Sequence, residues 1–85
     1  NDEGLKALSA RVVRAAPNCD MNINEMRALV LAGQSRAWEA GSRSAAELNE
    51  AATYFDRAAA LCPAPAVQAN LAKRAAWCRT KAEAM

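Results

Sequence analysis

Residues 44–63 read SAAELNEAATYFDRAAALCP, a helix with both of its ends written into it. Ser44-Ala-Ala-Glu47 is a capping box. The hydroxyl accepts from a free backbone N–H of the first turn, and the Glu47 carboxylate reaches back to the N–H of the cap. Leu48, Ala52, Phe55, Ala59 and Cys62 then recur at intervals of four and three, which is one apolar stripe of an α-helix. Pro63 and Pro65 stop it, because proline lacks the N–H and its ring clashes with the preceding turn.

The rest of the chain has to accommodate that helix. Of its 45 apolar residues, 23 are Ala, and only 19 are larger than Ala and Cys. Ala has the highest helix propensity and lets helix backbones approach closely. With three Gly, three Pro and few β-branched residues in 85, the chain is predicted to be all-α, a single small domain over residues 1–85 with about four antiparallel helices. A helix over about Gly4–Ala16 carries Leu5, Leu8, Val12 and Ala15 as its stripe and ends at Pro17-Asn18. The second is expected to start at Asn22 or Asn24 and to end at Gly41. Its face is Ile23, Met26, Val30, Gly33 and Ala37, with Gly33 in mid-helix under a close crossing. The fourth runs from about Ala66 to the chain end with a stripe of Val67, Leu71, Ala75, Cys78, Ala82 and Met85. Phe55, Leu48, Leu71 and Gly33 are expected in the core.

Several function classes find no residues here. There is no histidine, and the carboxylates are scattered. Ser42 and Ser44 stand where caps are wanted, with no general base beside them, so catalysis is not expected. Cys19, Cys62 and Cys78 include no C-x-x-C pair, so neither a metal site nor a cofactor is expected. Small buried thiols in a reducing intracellular compartment are the simpler reading. Cys62 and Cys78 would lie roughly 20 Å apart along an antiparallel pair at ~1.5 Å per residue. A disulfide needs Cα atoms within about 7 Å, which leaves Cys19 with Cys62 as the only plausible pair. There is no apolar run long enough to span a membrane and no signal-peptide pattern. The chain begins at Asn1, which fits a processed form or a piece of something longer.

The net charge of +2 singles out no partner, but the fourth helix holds Lys73, Arg74, Arg79 and Lys81 against Glu83 alone. A solvated face or a surface for an acidic partner both fit. With no aromatic platform and no helix-turn-helix spacing, nucleic acid is not expected. Trp38, Tyr54 and Trp77 each lie off the main stripe of their helix. Together with Arg74, Arg79 and Lys81 they are the candidate contacts to other protein chains or peptides.

Ala51, Phe55, Ala58 and Pro63 resemble the second helix of a tetratricopeptide repeat. In that family a small residue admits the paired helix, an aromatic follows four later, another small residue three after that, and a proline ends the helix. Leu71-Ala72 and Leu31-Ala32 look like the family's step in a first helix, and LAGQSRAW at 31–38 echoes LAKRAAWC at 71–78. The echo is 40 residues apart against a family period of about 34, which puts an insertion near 38–44. In that layout the chain is similar to the plant-type mitochondrial outer-membrane import receptors. The resemblance implies tetratricopeptide-like hairpins. Its import-receptor form implies a groove for a mitochondrial targeting peptide and a mitochondrial location. Two readings stand together: a non-catalytic protein–protein interaction module, or a small helical subunit of a larger assembly whose core its neighbours complete.

Overall fold

The computed structural model describes residues 2–15, 20–33 and 43–85 and contains four α-helices: α1 Asp2–Ala15, α2 Met21–Ala32, α3 Ala45–Leu61 and α4 Pro65–Glu83. They pack in chain order, α1 on α2, α2 on α3 and α3 on α4. The all-α expectation holds.

α3 lies at the centre, and its local chemistry is the one read above. Ser44 Oγ accepts from Glu47 N at 3.1 Å, and Glu47 Oε1 accepts from Ser44 N at 3.1 Å. Ala51, Ala52, Phe55, Ala58 and Ala59 are buried between Ala28, Leu31 and Ala32 of α2 and Leu71, Ala75 and Cys78 of α4. Phe55 fills the space between Ala-lined helices; its side chain is fully enclosed, as is that of Leu48. The turn at 62–64 is tied by Gln68, whose Nε2 donates to the Ala59 carbonyl at 3.0 Å. Pro65 opens α4, where its missing N–H costs nothing.

Three expectations are corrected. The cap of α2 is Asp20, whose Oδ1 accepts from Asn22 N and Ile23 N at 2.8 and 3.3 Å. Asn22 and Asn24 lie inside the helix, and Asn24 is buried. α2 ends at Ala32 rather than at Gly41, which lies outside the described residues. Gly33 is its left-handed cap (φ 68°, ψ 27°) and half-buried, not a mid-helix position. The Arg43 guanidinium occupies the space a Cβ would need, and its Nη2 donates to the Val30 carbonyl at 3.0 Å. Third, Val67 and Met85 are exposed, while Leu71, Ala75, Cys78 and Ala82 alone bury the α4 stripe. Cys62 and Cys78 are free thiols; Cys19 lies outside the described residues, as do Ala37, Trp38 and the expected insertion. Among the described residues no helix is long and apolar enough to cross a membrane.

Candidate interaction surfaces

α1 is attached by its polar edge. Arg27 of α2 is buried, and its Nη1 donates to the Lys6 carbonyl at 2.8 Å and to Ser9 Oγ at 2.9 Å. Its Nη2 lies 3.6 Å from Glu50 of α3, and its guanidinium sits 5.8 Å from the Tyr54 ring centre. Lys6 Nζ adds an ion pair to Glu47 Oε2 at 2.6 Å. Hydrogen bonding to Lys6 holds the Glu47 carboxyl below its usual value against the cost of burial, with Ser44 contributing. The same bond raises the Lys6 ammonium, with a smaller push from Glu3. Among the described side chains of α1, Ser9 and Val13 are buried.

Of its apolar stripe, Leu8 is exposed and Leu5 and Val12 are half-buried. Leu5, Leu8 and Val12 face Met26, Leu29 and Val30 of α2 across a groove of about 370 Å³, with Ser9, Asn22 and Glu25 completing the lining. Leu8 is 49% exposed and Met26 38%. Leu5, Leu8 and Val12 of the stripe expected in the first helix form one wall, and Met26 and Val30 of the face expected in the second lie on the other, with Leu29 added. α2 meets α3 instead through Ala28, Leu31 and Ala32. Val30 is buried as expected, whereas Leu8 and Met26, also expected in the core, are exposed.

The six candidate contacts separate. Trp38 lies outside the described residues. Tyr54 is half-buried against the core, with the Arg27 and Arg57 guanidinium groups 5.8 and 5.0 Å from its ring centre. Arg79 turns back to α3 and pairs with Asp56 at 2.6 Å. Arg74, Trp77 and Lys81 stand together on the outer face of α4, because residues three and seven apart share a face. Lys81 Nζ lies 4.9 Å from the Trp77 ring centre, and Trp77 is 45% exposed.

The chain matches no family profile, no curated protein and no solved structure. Among the described residues no three of Cys, Asp and Glu are grouped as metal ligands.

Proposed function

We propose that this chain is a non-catalytic protein-interaction module whose α1–α2 groove takes an amphipathic helix of a partner protein, a helix-in-groove mode. The observation that carries the reading is the attachment of α1: Ser9, Val13 and the Arg27 hydrogen bonds fix it, and Leu8, with Leu5 and Val12 half-buried beside it, is left on a groove opposite Met26. A helix that buried its own stripe would leave nothing to bind with.

The groove dimensions select the occupant. Leu5 to Val12 spans about two helical turns, roughly 10 Å at ~1.5 Å per residue. Such a length accepts apolar residues at i, i+4 and i+7 of a partner helix. Met26 lets the wall adapt to the shape of those residues. Glu25, the one carboxylate on the lining, favours a basic residue beside the apolar stripe. A basic amphipathic helix of this kind is also the chemistry of a targeting peptide.

The test is calorimetric titration with a synthetic 14-residue helix carrying Leu at i, i+4 and i+7 and one Lys, against a scrambled peptide of the same composition. The ordered peptide should bind and the scrambled one should not, with a negative heat-capacity change from apolar burial. Leu8→Glu should weaken binding at least about tenfold, or ~1.4 kcal/mol, with helical content unchanged. Equal binding of both peptides, or indifference to Leu8→Glu, refutes the groove.

A further inference from the structure

α4 is held to the core along Leu71, Ala75, Cys78 and Ala82. A second stripe flanks it, about 90° around the helix. Val67, Asn70, Arg74, Trp77 and Lys81 follow one another at three, four, three and four, which aligns them along about 21 Å of helix. Val67 and Trp77 are 44% and 45% exposed. The two are ten residues, about 15 Å, apart along the helix, so Trp77 is the apolar centre of the stripe and Val67 its far end.

The charge on this stripe is of one sign. Arg79 is neutralised by Asp56. Neither Arg74 nor Lys81 has a carboxylate partner among the described residues. Lys81 lies over the Trp77 ring, so the aromatic surface and the positive charge are offered together. A second copy of this chain does not suit the surface, since two such faces would oppose like charges. An acidic partner does.

We propose that Arg74, Trp77 and Lys81 on the outer face of α4 form a second docking surface, which takes an acidic amphipathic helix of a partner protein. The spacing sets its pattern. Arg74 and Lys81 are seven residues apart, about 10 Å along the helix. The occupant carries two carboxylates seven apart with an apolar side chain between them, seated on Trp77. This surface is separate from the α1–α2 groove and would make the module bivalent.

The test uses fluorescein-labelled 16-residue peptides read by anisotropy against the full chain at 50 and 300 mM NaCl. One has Glu at i and i+7 with Leu between; its twin has Gln at both positions. The Glu peptide should bind at least tenfold tighter than the Gln peptide at 50 mM NaCl and lose most of that advantage at 300 mM, where screening is strong. Arg74→Glu with Lys81→Glu should abolish the preference, and Trp77→Ala should weaken both peptides. All three positions are exposed, so the fold should survive; circular dichroism checks this. Leu8→Glu in the groove should leave Glu-peptide binding unchanged. Equal binding of the two peptides overturns the proposal, as does loss of binding in Leu8→Glu, which would seat the peptide in the groove. Tighter binding of a 16-nucleotide single strand or of phosphatidylserine vesicles than of the Glu peptide also overturns it.

Discussion

Arg27→Ala should release α1. The guanidinium donates to Lys6 O and Ser9 Oγ at 2.8 and 2.9 Å and approaches Glu50 at 3.6 Å. Hydrogen bonds from a charged donor contribute about 1.5–3 kcal/mol each, net of water, while the buried cation carries a desolvation cost of its own. Glu50 is half exposed and stays solvated when its partner goes. Ser9 keeps its bond to Lys6 O at 3.1 Å. The net loss should be about 2–3 kcal/mol. That is a large share of the roughly 4–13 kcal/mol expected of a chain this size, and corresponds to a fall in melting temperature of about 10–20 °C. Arg27→Met keeps the volume and loses only the donors, so it should cost less. Urea unfolding gives the magnitude, and amide exchange gives the place: protection should fall over Asp2–Ala15 and persist in α3. The groove peptide should stop binding, because one wall has gone. A loss under 1 kcal/mol with α1 exchange unchanged would refute the claim that Arg27 holds this helix.

The ion pair of Lys6 and Glu47 gives a signed pH dependence. The lowered carboxyl of Glu47 contributes stability that is present above the ordinary carboxyl value and lost as the pH falls through its own. The raised ammonium of Lys6 contributes below the ordinary lysine value, and that part is lost as the pH rises through the raised one. Melting temperatures between pH 6 and 2 should therefore fall less in Glu47→Gln than in the parent chain. Gly33→Ala should cost about 1–2 kcal/mol in urea unfolding: the left-handed φ of 68° strains any Cβ, and that Cβ would lie 2.9 Å from Arg43 Nε. A neutral or stabilising result would exclude that cap. The Cys78 thiol is raised by burial despite Arg79, Lys81 and Arg74 nearby. It should resist iodoacetamide until denaturant opens the fold, with Cys62 modified first in peptide mapping.

The helices that could be read from sequence were those whose ends are fixed by local chemistry. Ser44 and Glu47 lie within one turn, so the capping box needs nothing from the rest of the chain. Asp20, Asn22 and Asn24 are all good caps within five residues of one another, and only the reach of Asp20 to two N–H groups decides among them. Gly33 fits a helix interior and a helix end equally well. The choice is made ten residues later, by the Arg43 side chain that binds the Val30 carbonyl. The groove was harder. Its walls were visible as stripes, but which stripe is covered depends on Ser9 and Arg27, polar residues that periodicity assigns to water. A guanidinium can satisfy two acceptors on a neighbouring helix at once, and that gain turns the Ser9 face of α1 inward. On α4 the sequence named Arg74, Trp77 and Lys81 as separate candidate contacts, and their spacing of three and four puts them on one face. Removing Arg79 from the set required Asp56, 23 residues away.

The uneven placement of large side chains makes binding and stability separable. The shared core of α2, α3 and α4 is closed by Ala28, Ala32, Ala51, Ala52, Ala58, Ala59 and Ala75 around Phe55, Leu31 and Leu71. Leu8, Met26, Val67 and Trp77 remain at the surface. Phe55→Ala should therefore cost about 3–5 kcal/mol, since alanine neighbours have no side-chain length with which to refill the space. Leu8→Ala and Trp77→Ala should each cost less, about 1–2 kcal/mol, because about half of each side chain already lies in water. Each should still weaken its own peptide. If Leu8→Ala destabilised the chain as much as Phe55→Ala, the groove would be core, and α1 would be packed by its stripe after all.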